Sequence, residues 1–278
     1  MSPDGTRLAI GLFTEAGDDI WVKQLPAGPV SRVTFDTLAE HRPRWSMDGR
    51  TITYLRYAGR GELYRRSSDG TGVAELVVTA PDGVYEAAFA PDGKTLLLRT
   101  GGQTNVPGGR DISVMRPGED TVQRPLVASP QYDESTITLS PDGRLLAYES
   151  DETGRSEVYL RPFPNADAGK WQVSTDGGRA PLWAKNGREL FYVNAAREMI
   201  VVPVTFGASA PQFGQRTQLF RMREELYLAE IERYTPFDIS LDGRRFIMAR
   251  RVAVSEGQEA PLVVTENWFE ELRRIVGR

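Results

Sequence analysis

One histidine, His41, and no cysteine stand among 278 residues. Without thiols there is no disulfide, no thiolate zinc site and no cysteine nucleophile. A Ser-His-Asp triad would have to use His41, yet no Gly-x-Ser-x-Gly elbow occurs, and Gly154-Arg155-Ser156-Glu157-Val158 departs from that pattern. A metal site built on imidazoles fails for want of a second one, and a carboxylate site for Ca²⁺ needs clustering in space that a sequence does not display. Asp4, Asp48, Asp92, Asp142 and Asp242 recur, but each precedes a glycine, where aspartate serves backbone conformation. Asp151-Glu152 and Glu224-Glu225 read as solvated loop charge. The residues predict no catalytic constellation, no metal and no cofactor.

The recurring Asp-Gly pairs matter for a different reason. Aligned on the glycine, Ser2-Pro3-Asp4-Gly5, Ser46-Met47-Asp48-Gly49, Ala90-Pro91-Asp92-Gly93, Ser140-Pro141-Asp142-Gly143, Ala184-Lys185-Asn186-Gly187 and Ser240-Leu241-Asp242-Gly243 form six copies, 44, 44, 50, 44 and 56 residues apart. Three residues after each glycine stands Leu8, Ile52, Leu96, Leu146, Leu190 or Phe246, and two further on Ile10, Tyr54, Leu98, Tyr148, Tyr192 or Met248. These are i, i+2 pairs on one face of a strand. Trp45, Phe89, Leu139, Trp183 or Ile239 precedes the small residue that opens the turn. An Asp-Gly or Asn-Gly pair between alternating apolar runs is a strong hairpin signal, so the unit is strand, tight turn, strand.

A period near 44 residues signals stacked or radially arranged units. Each unit divides into four short strands, A to D. The expected spans are 7–13, 20–25 and 31–35 for blade one; 42–46, 51–57, 62–66 and 74–79 for blade two; 85–90, 95–100, 112–116 and 125–129 for blade three. Blade four takes 135–140, 145–150, 157–163 and 171–175; blade five 180–184, 189–194, 199–206 and 217–221; blade six 236–240, 245–252 and 262–265. The Gly-rich stretch 101–110 reads as a mobile loop, and 222–234 as two turns of helix or a structured crossover. The prediction is an all-β, six-bladed β-propeller of four-stranded antiparallel blades over 1–265. Its first blade lacks strand A and its last lacks strand D. Residues 266–278 predict a short amphipathic helix, with Trp268, Phe269, Leu272, Ile275 and Val276 on one stripe packing on the propeller. Because ring closure usually joins the chain ends within one blade, both missing strands are expected upstream of Met1, which reads the chain as a fragment of a longer polypeptide or a gene model begun too late, the alternative being a ring with two ragged edges.

The formal charge is −4 and the pI about 5.3, with both signs interspersed, which disfavours nucleic acid and anionic membranes as partners. No apolar run approaches the length of a membrane span.

The turn-strand pattern resembles the PD40 (WD40-like, TolB-type) propeller family, in which Trp-Ser-Pro-Asp-Gly marks the A–B hairpin. Residues 45–49, 89–93 and 139–143 carry it best, and 183–187 depart from it with Lys185-Asn186. A narrower resemblance links 157–164, 169–178, 187–192, 243–246 and 267–272 to the propellers at the C-termini of bacterial receptor-type serine/threonine protein kinases. That resemblance implies an extracytoplasmic propeller behind a membrane span and a kinase domain. No ATP loop, HRD or DFG motif occurs in this chain.

With chemistry absent, a surface remains. In a propeller the D–A and B–C connections share the face around the channel mouth. Here that face collects Glu40, His41, Tyr85, Glu134, Arg179 and Tyr234, with the loops 101–110, 150–156 and 222–234. The expectation is a non-catalytic module binding a protein or peptide, with a small ligand as a further option, within a larger bacterial signalling protein such as a receptor kinase. The alternatives are the substrate-gating propeller of a prolyl-oligopeptidase-like serine peptidase and a TolB-like periplasmic envelope-complex protein.

Overall fold

The structure, a computed structural model, describes residues 1–14, 17–101, 108–207, 210–229 and 233–250. Blade one holds β1 (Arg7–Thr14), β2 (Gly17–Gln24) and β3 (Val30–Arg32); blade two holds β4 (Glu40–Trp45), β5 (Thr51–Tyr57), β6 (Gly61–Ser67) and β7 (Glu75–Val78). Blade three holds β8 (Val84–Phe89), β9 (Leu96–Gly101), β10 (Arg110–Met115) and β11 (Arg124–Val127); blade four holds β12 (Glu134–Leu139), β13 (Leu145–Ser150), β14 (Glu157–Pro162) and β15 (Trp171–Gln172). Blade five consists of β16 (Arg179–Trp183), β17 (Glu189–Val193) and the long β18 (Glu198–Phe206). The second half of β18 pairs with β19 (Pro211–Phe213) and its first half with β20 (Thr217–Arg221). Blade six shows β21 (Phe237–Ile239) and β22 (Phe246–Met248). All these pairings are antiparallel, and the whole is the predicted six-bladed β-propeller. The expected third strand of blade six and the expected helix over 266–278 lie outside the described residues, as do 102–107 of the Gly-rich loop.

The repeated turn is built the same way six times. The glycine N–H bonds back to the carbonyl three residues earlier, from Gly5 to Ser2 at 2.9 Å through Gly143 to Ser140 at 2.8 Å to Gly243 to Ser240 at 2.9 Å. Every one of these glycines has φ between 66° and 73°, a conformation that penalises a side chain. In the four copies that open on serine the aspartate accepts its hydroxyl, as in Ser46 Oγ to Asp48 at 2.6 Å, and also the N–H two residues on, as from Arg50 at 3.0 Å. These bonds hold the Asp4 carboxyl down at about 2, the Ser2 hydroxyl contributing most.

Packing follows from the period of two. Ile52 and Tyr54 bury against blade one with Ile20, Val22 and Val33. Leu96 and Leu98 bury against blade two, Leu146 and Tyr148 against blade three, and Leu190 and Tyr192 against blade four. Phe246 packs on blade five. In blades two to six the recurrent i+3, i+5 pair thus faces the preceding blade. The intervening residues Leu97, Ala147 and Leu145, Phe191 and Val193 face the following one. At the turns the same order recurs. A methyl placed on Gly49 would lie 3.5 Å from Pro3, one on Gly143 3.2 Å from Pro91, and one on Gly187 3.4 Å from Pro141. Leu241 of blade six stands 3.1 Å from the same point on Gly5 of blade one, which carries the sequence of contacts round to its start.

The crossover after β20 forms no helix over 222–229. Its Leu226 instead bridges Arg250, and Ala229 bridges Tyr234.

Candidate functional site at the mouth of the ring

Strand A of each complete blade is the inner strand, and it is kinked where it leaves the mouth. Between His41 and Arg44, Ser135 and Thr138, and Arg179 and Leu182, two residues oppose one on strand B. The first extra residue is left-handed each time: Arg42 at φ 56°, Thr136 at 60° and Ala180 at 52°. Non-glycine residues there cost about 1–3 kcal/mol, and such bulges re-aim side chains beside functional sites. Glu149, 2 % exposed, secures two of them, accepting from Thr136 Oγ1 at 2.8 Å and from the Ala180 N–H at 2.6 Å. Burial pushes its carboxyl above the usual range against those bonds.

One side of the mouth is aromatic. Phe13, at the end of β1, stands 5.4 Å from His41, which stands 5.5 Å from Tyr57, itself 6.2 Å from Tyr85 (ring centroids). The arc spans blades one to three. Phe13 is 76 % exposed. Burial lowers the His41 pKa, with Asp18 pulling the other way, so the imidazole is neutral at pH 7.

The other side is acidic. Asp133 and Asp151 flank β12 and β13, and the Asp133 N–H donates to Asp151 Oδ1 at 2.9 Å. Arg110 donates to Asp133 Oδ2 at 2.5 Å. Glu134, 3 % exposed, is pushed up to about 8 by burial first and then by Asp111, Asp151 and Asp133. Between the two sides, the buried Arg99 lies 3.8 Å from Glu86, and burial lowers it to about 10 against the pull of that carboxylate. Both Arg42 and Arg99 donate to the Tyr85 carbonyl.

A short segment leads into blade six across this mouth. Arg233 Nη1 reaches Asp151 at 3.5 Å and Asp133 at 3.8 Å on blade four. The Arg42 guanidinium of blade two lies 4.4 Å over the Tyr234 ring. Thr235 Oγ1 donates to the Pro181 carbonyl of blade five at 2.9 Å.

Of the residues expected at the mouth, His41 and Tyr85 share the aromatic arc, Glu134 lies in the acidic side, and Tyr234 is in the crossing segment. Glu40 is fully buried and bonded to its cross-strand partner Arg56 at 2.9 and 3.0 Å, so it belongs to the wall of blade two. Arg179 sits exposed on the rim and favours the charged form of Glu149. Asp151 and Glu152, expected as solvated loop charge, are both engaged: Asp151 as described, and Glu152 with Lys170 at 2.6 Å. Sequence reasoning missed Phe13, Arg42 and Asp133, and reached Arg233 only as part of the 222–234 loop. The signal for Phe13 was its place at the end of strand B, while Arg42 depends on a left-handed backbone that no residue type announces. Among the described residues, no group of three or more His, Asp or Glu side chains is placed to hold a metal ion, and no helix is long and apolar enough to cross a membrane.

No family model matches the chain. Dipeptidyl aminopeptidase BI of Pseudoxanthomonas mexicana is 27% identical over 169 residues, covering 60% of this chain and 19% of that protein. The uncharacterized peptidase YuxL of Bacillus subtilis (strain 168) is 31% identical over 105 residues, 35% of this chain and 16% of that protein. The chain thus spans less than a fifth of either curated relative, at 19% and 16%. Among solved structures, TolB from Acinetobacter baumannii superposes with a TM-score of 0.64 at 16% identity, over 89% of this chain and 58% of that one. That likeness is one of fold.

Proposed function

We propose that the chain is a non-catalytic binding module that holds a protein or peptide at the mouth of the ring. The observation that carries this reading is the composition of the mouth. An arc of aromatic rings ending in the exposed Phe13 faces a set of acidic groups across it, on inner strands fixed by bulges. Exposed aromatic anchors beside charged groups on a rigid scaffold are what protein recognition uses.

The test compares the proteins retained from the host by the unaltered chain and by a Phe13→Asp, His41→Ala double variant. A partner depleted at least about tenfold by the substitutions supports the mouth as the binding face, since losing one aromatic anchor removes about 2 kcal/mol. An unchanged set of partners refutes it.

For the larger protein, two readings compete. The resemblance of the second half to receptor-kinase propellers supports a sensory module of a signalling protein. The two peptidase relatives favour a propeller that governs access to a hydrolase domain. The mass of the native protein, with sequenced peptides outside these 278 residues, separates them: kinase peptides support the first, hydrolase peptides the second.

A further inference from the structure

The segment Arg233 to Thr235 makes the kind of contacts a bound peptide would make. Its arginine enters the Asp133–Asp151 pair of blade four, its tyrosine lies beneath the guanidinium of Arg42 from blade two, and its threonine bonds blade five. Three consecutive residues therefore touch three different blades. Both subsites exist apart from the segment. Asp133 is positioned by the N–H of Gly109 at 3.2 Å and by Arg110, and Asp151 by the Asp133 N–H. Arg42 is aimed by its left-handed backbone and its bond to the Tyr85 carbonyl. Arg233 is left-handed at φ 49°, and its N–H bonds only locally, to Ala229 at 2.9 Å. Displacing the segment would relieve that backbone strain.

We infer that Arg233-Tyr234 is an internal stand-in for ligand, and that the mouth takes a peptide in which a basic residue is followed directly by an aromatic one, bound by displacing this segment. The inference rests on the proposed binding role of the mouth and names the ligand class. The guanidinium or ammonium of the peptide replaces Arg233 between the carboxylates. The ring of the peptide replaces Tyr234 under Arg42. Because the segment is tethered, it competes at an effective concentration on the order of 1 mM, and the apparent affinity for a free peptide falls by the fraction of molecules in which the segment is displaced.

The probe is a dye-labelled Gly-Arg-Tyr-Thr-Gly peptide, followed by fluorescence anisotropy on the full chain, beside a control peptide with Glu in place of Arg. Substituting Arg233→Ser with Tyr234→Ser should tighten probe binding at least about tenfold. Adding Asp151→Asn, which keeps the oxygen that accepts the Asp133 N–H, should remove most of that gain. Equal binding of the two peptides, or no gain in the double variant, overturns the inference. Should the double variant not fold, hydrogen exchange on the unaltered chain decides. The probe at about 1 mM should speed exchange at Arg233 and leave it unchanged with the control peptide, and no difference between the two overturns the inference. If this experiment fails while the Phe13 and His41 substitutions still deplete a partner, the binding role stands and the ligand class falls. If both fail, both fall.

Discussion

Replacing Glu134 by Gln should make the protein more stable in mild alkali. Burial, and then the nearby acids Asp111, Asp151, Asp133 and Glu152, push the Glu134 carboxyl up to about 8 in the folded chain, against 4.5 for a free side chain. Below pH 4.5 it is protonated whether the chain is folded or not, and it has no effect on the balance. Between 4.5 and about 8 the unfolded chain has released its proton and the folded chain has kept it, so stability falls as pH rises and levels off above about 8. At about 1.4 kcal/mol per pH unit the ceiling on that loss is about 5 kcal/mol. Proteins respond to buried charge with an effective dielectric near 20, and Arg233 and Arg110 stand close to the neighbouring aspartates, so about 2 kcal/mol is expected. The assay is urea unfolding by tryptophan fluorescence of both chains at about pH 5.5 and about pH 8.5. Glutamine removes the titration, and because about the first pH unit of the window lies below pH 5.5, the stability gap between variant and unaltered chain should widen by about 1 kcal/mol from the lower to the higher pH. Asp111, itself raised by burial, titrates in both chains and largely cancels in the difference. A gap that is the same at both pH values refutes the reasoning.

Two further outcomes are expected. Gly61→Ala should cost about 3 kcal/mol in urea unfolding, because a methyl there drives into the backbone carbonyl of Val84. Nearby Gly59→Ala, with open space around it but φ +85°, should cost only about 1 kcal/mol, and equal costs at the two positions would show that the space at Gly61 is not limiting. Phe246→Ala should cost about 3–5 kcal/mol in the same assay, since its ring meets Phe191 at 5.2 Å, Phe220 at 5.6 Å and Phe237 at 6.3 Å. A loss under about 1 kcal/mol would mean that blade six is not docked on blade five through this ring.

The fold was legible because its signals are local and repeated. Asp48-Gly49 and its counterparts each demand the same left-handed glycine, and Leu146 and Tyr148 with their counterparts alternate on one strand face; both facts survive in a linear sequence. Strand ends were less legible: β15 is only Trp171–Gln172, where a run to Thr175 was expected, because Val173 and Ser174 bond Val158 outside a regular ladder. At the mouth, His41, Tyr85 and Glu134 could be placed by counting back from the turn glycine. What they touch could not. Glu40 is held by Arg56 through cross-strand register, and Arg42 meets Tyr234 only because the ring brings blades two and six to one opening. Asp151 looked like loop charge because its partner, Arg233, is remote in sequence and near only in the folded ring.

The seat of Leu241 on Gly5 has a consequence for how the protein comes apart. In a linear array of repeats the outermost unit has one neighbour and frays first. Here blade one is flanked on both sides, by Ile52 and Tyr54 of blade two and by Leu241 of blade six. Opening the ring at any one boundary leaves the other boundaries intact but frees two edges at once. Freeing blade one therefore breaks two contacts, with blade two and with blade six, where the end unit of a linear array breaks one.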